Sequence, residues 1–238
     1  IAIGYGGKVG RGKQKKDGAY IVLRENSLEV IHEARDSKQW ITDIKFTPDG
    51  STLGVASYDN CIYLYDVANG FSLKAKFDRH NSFITHFDFS VDSQYIASNC
   101  GAYELLFADA SNGALIPAPS SLKDTDWQTQ NTVLGWAIQG TWPAYDDGTD
   151  ISAIDRSNNG KLVVSADEFG RLRLWRWPAL SQTAGFKSFP AHGPHITKVL
   201  FTPGDNFIIT TGGHDRCVMQ WKLDMLDDVE EAIEAGES

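Results

Sequence analysis

Cysteine and methionine are scarce in this sequence, and long hydrophobic runs are absent. Its three cysteines, Cys61, Cys100 and Cys217, stand far apart in 238 residues and cannot all pair. A disulfide scaffold is therefore excluded, and buried strand thiols are expected. No apolar stretch reaches the roughly 20 residues of a transmembrane helix, and there is no signal-peptide pattern, so no membrane partner is expected. The chain opens on Ile1 instead of Met, and a piece of a longer protein is expected. Positive charge is also in deficit: 22 Lys and Arg against 31 Asp and Glu leave a net charge of −9. That balance argues against nucleic acid as a partner.

Signatures of catalysis are missing too. No G-x-S-x-G occurs. His192 and His195 lack the helix and the glutamate of a metalloprotease site. The acidic loop Asp146, Asp147, Gly148, Thr149, Asp150 lacks the spacing and terminal Glu of a calcium hand. Residues 7–13 fit G-x-x-x-x-G-K, but Gln14 stands where Ser or Thr would hold magnesium, and a strand pattern follows where a phosphate-binding helix should start. The expectation is a protein that is not an enzyme, with no catalytic residue, cofactor or metal.

What the chain has is repetition. A first-strand pattern recurs as Thr42-x-Ile44-x-Phe46, Thr85-x-Phe87-x-Phe89, a weaker Ser152-x-Ile154-x-Arg156, and Thr197-x-Val199-x-Phe201. From the leading hydroxyl to a closing aromatic the distances are 23 residues to Tyr65, 22 to Phe107, 23 to Trp175 and 24 to Trp221. Turn segments sit at matching places: Thr47-Pro48-Asp49-Gly50, Ser90-Val91-Asp92-Ser93, Ser157-Asn158-Asn159-Gly160 and Thr202-Pro203-Gly204-Asp205. Short apolar runs bounded by such turns read as successive antiparallel strands. In the last copy, 192–221, a histidine precedes the first strand, Thr210 or Thr211 lies on the second, Asp215 in the next turn, and Trp221 ends the third. That order resembles the WD40 repeat, one four-stranded blade of a β-propeller.

In WD40 proteins these four residues form a buried hydrogen-bonded chain, so the resemblance makes His192, Thr210 or Thr211, Asp215 and Trp221 a structural tetrad. Imidazole can donate at one nitrogen and accept at the other, while indole offers a single donor. The other copies keep only parts: Asp59 and Tyr65 in the first, His80 in the second, Trp175 in the third. Gly101 and Phe169 occupy the aspartate position of the middle copies, and Ser37 and Asp147 the histidine position of the first and third. Packing between sheets is expected to hold these blades.

Around this array, residues 1–6, 19–23 and 28–31 read as three strands of a preceding blade. Between the first two runs a glycine-rich loop carrying Lys8, Arg11, Lys13, Lys15 and Lys16. That loop is either a solvated connection or a basic contact for an acidic partner. Residues 111–149 are too long for a hairpin connection and are expected to be an insertion with its own structure. In the tail, Met225, Val229 and Ile233 recur every fourth residue among acidic side chains, a short amphipathic helix that packs on the last blade or meets a partner. The expected architecture is an all-β, WD40-type propeller, incomplete. Residues 1–39 end one blade, 40–223 form about four full blades with the insertion, and 224–238 form an acidic helix.

A more specific resemblance rests on several stretches together: Asn81-Ser82-Phe83-Ile84-Thr85-His86, Asp92-Ser93-Gln94-Tyr95, Tyr103-Glu104-Leu105-Leu106, the insertion with Asp126-Trp127 and Gly140-Thr141-Trp142-Pro143, Asp167-Glu168-Phe169-Gly170, and Gly212-Gly213-His214-Asp215. Together they are similar to the C-terminal propeller of the echinoderm microtubule-associated protein-like family. The resemblance implies a non-catalytic cytoskeletal protein that binds tubulin or microtubules, in the cytoplasm or in a ciliary axoneme. The other implied possibility is a propeller scaffold that gathers other proteins at its rim without touching tubulin. Net charge excludes bulk attraction to an acidic filament, so any such contact must be a local basic patch acting over a Debye length of about 8 Å.

Overall fold

The structure, a computed structural model, describes residues 1–6, 16–142 and 150–223. Among them are seventeen strands in five antiparallel sheets, in each of which neighbours in sequence are neighbours in space. The first sheet contains β1 (Ala2–Gly4), β2 (Tyr20–Leu23) and β3 (Val30–Ala34). The second contains β4 (Ile41–Phe46), β5 (Thr52–Ser57), β6 (Ile62–Asp66) and β7 (Ser72–Phe77), and the third β8 (Ile84–Phe89), β9 (Tyr95–Cys100) and β10 (Leu105–Asp109). The fourth contains β11 (Ile151–Arg156), β12 (Leu162–Asp167), β13 (Arg171–Arg176) and β14 (Phe186–Pro190), and the fifth β15 (Ile196–Phe201), β16 (Phe207–Gly212) and β17 (Val218–Lys222). The chain divides into two compact units, Ile1–Gln128 and Thr129–Ser238.

The repeat has a physical basis at each hairpin. Pairing of the first two strands shifts register between Ile41 and Asp43, Ile84 and His86, Ile151 and Ala153, and Ile196 and Lys198. The residue skipped each time is the leading hydroxyl of the repeat, Thr42, Thr85, Ser152 or Thr197. The conserved spacing of the four copies therefore marks a bulge, which sharpens the twist where each first strand begins. At the other end of the hairpin a hydroxyl closes the turn. Thr52 N–H donates to Thr47 Oγ1 at 3.0 Å, Tyr95 N–H to Ser90 Oγ at 2.9 Å, Leu162 N–H to Ser157 Oγ at 2.9 Å and Phe207 N–H to Thr202 Oγ1 at 3.2 Å. The last turn residue has positive φ in all four: Gly50, Ser93, Gly160 and Asp205.

In the first unit, adjacent sheets pack face to face. Tyr20, Val22, Leu53, Val55 and Tyr65 form one core cluster, and Ile62, Leu64, Phe77, Ile84, Phe87 and Phe89 another. Gly54 on β5 makes the second possible, since a Cβ there would stand 2.8 Å from the Phe87 ring and 2.9 Å from Phe89. In the second unit Leu162, Val164, Leu172 and Leu174 meet Ile196, Val199, Phe201 and Ile208. Full burial of each such side chain contributes about 1.5–3 kcal/mol, so these faces dominate the stability of a sheet.

The insertion is short-range structure on both units. In the first unit, Leu115 makes a single bridge to Ala108 at the edge of β10, and Ile116 N–H donates to Phe107 O at 2.8 Å. That bridge stands where the second and fourth sheets have a whole outer strand. Farther along, Trp127 bridges Ser90 and its ring lies 5.8 Å from Phe107. In the second unit, Val133 and Ile138 cover Ile151, Ile154, Val163 and Trp175. Ile138 belongs to a 3-10 segment, Trp136–Thr141, kinked at Ile138 itself.

Candidate functional site

In the fifth sheet the residues named from sequence lie in one chain. His192 Nδ1 is 2.8 Å from Asp215 Oδ2 and its Nε2 is 2.7 Å from Thr210 Oγ1, to which Trp221 Nε1–H donates at 2.9 Å. Because the Asp215 carboxylate can only accept, His192 Nδ1–H goes to it, the neutral ring accepts the Thr210 hydroxyl proton at Nε2, and the indole N–H takes a lone pair of Thr210 Oγ1. Thr211 stands outside this chain and pairs with Thr197 Oγ1 at 2.8 Å. The N–H of Cys217, then the His192 ring, hold the Asp215 carboxyl below the usual carboxylate range. Every polar atom of the His192 ring is spent within the chain, so it holds a turn to a strand and has none left for a substrate.

The second, third and fourth sheets carry networks of their own around the partial sets named from sequence, where packing was expected to do most of the holding. Asp59 accepts from Ser37 Oγ at 2.8 Å and from Tyr63 OH at 2.7 Å, and Ser37 Oγ also meets Ser57 Oγ at 2.7 Å. Ser37 thus serves in the place of histidine. Tyr65, grouped with Asp59 from its spacing, instead donates to Asp36 Oδ2 at 2.7 Å, and Tyr63 takes its place. His80 Nε2 meets Ser98 Oγ at 2.8 Å and its Nδ1 lies 3.3 Å from Glu104 Oε2. Trp175 Nε1–H donates to Ser165 Oγ at 2.9 Å. Ser98 and Ser165 occupy the fourth position of β9 and β12, as Thr210 does on β16, and that register would have identified them. Glu104 was missed because its turn is displaced: it lies three residues before Phe107, while the aspartates lie six before their aromatics.

The thiols depart from the sequence expectation in one respect. Cys61 and Cys100 are buried, but Cys217 is exposed, although it stands at the same turn position as Cys61. Burial pushes the Cys61 and Cys100 thiols up. No disulfide joins the three.

A different arrangement lies on the surface of the first unit. Trp40, just before β4, and Tyr58, just after β5, are 42% and 43% exposed. Their rings are 5.8 Å apart, and Tyr58 stacks on Phe83 at 4.1 Å with 10° between the planes. Gly101 lets Phe83 lie down, because a Cβ there would come within 2.5 Å of its ring. Nearby in the chain, Lys16 Nζ sits 5.3 Å from the centroid of the Tyr5 ring. Aromatics of fixed geometry, two of them well exposed, are the composition of a protein-docking surface. Lys8, Arg11, Lys13 and Lys15 lie outside the described residues, as do Asp147 and the whole acidic tail 224–238.

Meandering antiparallel sheets with a common bulge, a common turn and a His–Thr–Asp–Trp network define a WD40-type β-propeller fold. Solved structures agree at that level. The chain is similar to the Cps50 (Swd1) β-propeller domain of Myceliophteria thermophila, with a TM-score of 0.56 and 14% identity over 88% of this chain and 60% of that one. It is also similar to a chain in the crystal structure of the mitotic checkpoint complex, with a TM-score of 0.52 and 17% identity over 87% and 57%. More specifically, residues 1–223 match the family described as "Echinoderm microtubule-associated protein second beta-propeller", and the chain belongs to that family. Relatives include echinoderm microtubule-associated protein-like 4 of Xenopus laevis, 40% identical over 87% of this chain and 23% of its own length. The 77 kDa echinoderm microtubule-associated protein of Strongylocentrotus purpuratus is 40% identical over 87% of this chain and 30% of its own. The chain thus spans between a fifth and a third of the length of the relatives it matches. Among the described residues, no helix is long and apolar enough to cross a membrane.

Proposed function

We propose that this chain is a non-catalytic propeller that binds tubulin or microtubules and helps organise or stabilise them within the cytoskeleton. The observation that carries this reading is the match of residues 1–223 to a family whose relatives are named as microtubule-associated. The polar networks support it, since they consume histidine, aspartate and hydroxyl groups in holding the sheets and leave a rigid platform. In this reading residues 1–39 end one blade and contain the basic loop, 40–223 form about four blades with the insertion, and 224–238 supply an acidic tail. With a net charge of −9, attraction to an acidic filament must come from a local patch, for which Lys16 and the loop before it supply the charge.

The exposed Trp40–Tyr58–Phe83 strip favours a second reading, a scaffold that docks other proteins at its rim without direct tubulin contact. Co-sedimentation separates the two. The first reading predicts that the protein pellets with microtubules, and less so after the acidic tubulin tails are removed. A protein that stays in the supernatant with both polymers leaves the scaffold reading in place and overturns the first.

A further inference from the structure

Beyond the docking function, the geometry points to a site for a zinc-class divalent cation on the third sheet, ligated by His80 Nδ1, Cys100 Sγ and Glu104 Oε2. The ligand atoms of these three residues all lie within 4.8 Å of one another. Glu104 Oε2 is 3.3 Å from His80 Nδ1 and 3.2 Å from Cys100 Sγ. A tetrahedral zinc with ordinary bond lengths sets its nitrogen and oxygen ligands about 3.4 Å apart and its sulfur and oxygen about 3.6 Å apart. These two pairs match within a few tenths of an ångström, and closing the sulfur on the imidazole nitrogen, which the cluster already holds within 4.8 Å, completes the site. One imidazole, one thiolate and one carboxylate are borderline-soft ligands of the kind zinc selects, and a solvent water completes four. Glu104, a quarter exposed, is the open side of the site.

Comparison with the fifth sheet shows why this network can take a metal. There Trp221 N–H takes a lone pair of Thr210 Oγ1 while Asp215 fixes Nδ1–H, so the hydroxyl proton goes to His192 Nε2. In the third sheet the aromatic at the end of the third strand is Phe107, which has no N–H to give. Ser98 Oγ lies 3.3 Å from Leu106 O and can donate there while accepting from His80 Nε2–H at 2.8 Å. Without a cation Glu104 Oε2 accepts from His80 Nδ1–H, the Asn81 N–H and the Cys100 thiol; the Ser98 donation to Leu106 O is the arrangement that lets the ring proton sit on Nε2 and frees the Nδ1 lone pair for a metal. On binding, the imidazole proton shifts from Nδ1 to Nε2, where it donates to Ser98 Oγ, the S–H bond breaks, the nitrogen–metal and sulfur–metal bonds form, and the thiol proton leaves to solvent. The surroundings are those of an outer ligand shell. Asn81 N–H donates to Glu104 Oε2 at 3.0 Å, Asn81 Nδ2 donates to Oε1, and Ala102 N–H points at Cys100 Sγ at 3.4 Å. Cys61 and Cys217 have no such cluster: the Cys61 sulfur meets Asp59 O and the Lys76 side chain, and the exposed Cys217 sulfur meets Asp215 O. The bound ion would pin the turn between β9 and β10 to the segment that leads into β8.

The test is Co2+ titration of the full chain, with cysteines kept reduced, read by the near-ultraviolet thiolate-to-cobalt charge-transfer band, followed by displacement with Zn2+. One equivalent of Co2+ should raise the band, and Cys61→Ser with Cys217→Ser should leave it unchanged. Cys100→Ser, which keeps a donor to Glu104, should abolish the band, and Glu104→Gln should weaken Zn2+ binding by roughly tenfold or more. Absence of the band in the unmodified protein overturns the assignment, as does its persistence in Cys100→Ser.

Discussion

Replacing Thr210 by valine removes one hydroxyl from a wholly buried position and keeps the shape of the side chain. Two partners are stranded. His192 Nε2 belongs to a side chain with no solvent exposure, and Trp221 Nε1–H to a partly buried one. A buried polar group left unpaired costs about 1–3 kcal/mol. His192 bears that in full, while Trp221 bears the low end because water can reach part of it, and the added methyl contact offsets some of the loss. The expected destabilisation is about 2–4 kcal/mol. Nearest-neighbour energetics in repeat folds confine much of that loss to the fifth sheet. Amide exchange in β15–β17 should therefore accelerate by about 30- to 1,000-fold, at 1.4 kcal/mol per factor of ten, while β4–β7 are unchanged. Thr211→Val, which loses only an exposed bond to Thr197, should cost under about 1 kcal/mol. Hydrogen exchange read by mass spectrometry on the three proteins decides it. An acceleration below about threefold for Thr210→Val, or equal effects of the two substitutions, would refute the account of the network.

Further outcomes follow from the same geometry. Gly54→Ala should destabilise by about 1–3 kcal/mol, because its Cβ must displace the Phe87 and Phe89 rings; urea unfolding with an unchanged midpoint would contradict this. Asp49 is pulled down to about 2 by the Thr47 hydroxyl and then the Ser51 N–H. Its native pKa is lower than its unfolded one, so its contribution is complete above the ordinary carboxylate value and is lost as pH falls toward about 2. A carboxyl titration by NMR should place Asp49 well below the free-aspartate range, and Asp49→Asn should flatten the fall in stability over that window. Lys13, Lys15 and Lys16 changed together to glutamate should reduce microtubule pelleting severalfold with no change in unfolding midpoint; unchanged pelleting removes the loop from the contact.

Much of the sheet structure was legible because its signals are local. The leading hydroxyls of the four copies marked the first strands, and the Thr47, Ser90, Ser157 and Thr202 turns marked hairpins, each within a few residues; that those hydroxyls sit in bulges came only from the pairing. What escaped depended on register between strands. Ser37, which spacing put at the histidine position, and Ser57 together do what a histidine and a threonine do in the fifth sheet, but Ser57 is the last residue of β5 while Thr210 is the fourth of β16, so no fixed spacing announces the pair. Glu104 carries its carboxylate one methylene farther than aspartate and reaches His80 from a different turn position, so counting back six residues from Phe107 landed on Gly101. Tyr63 and Tyr65 are two apart on β6 and face the same side, so spacing alone did not say which one meets Asp59. The exposure of Trp40 and Tyr58 was unreadable for another reason: aromatic residues near strand ends have the same sequence pattern whether they face core or solvent.

The most direct measurement is the bound fraction of this chain against polymerised tubulin concentration at near-physiological salt. A saturable curve whose affinity drops when the acidic tails are cut away is the predicted result. A bound fraction that stays at background across the whole range, for polymer with and without tails, would contradict the account.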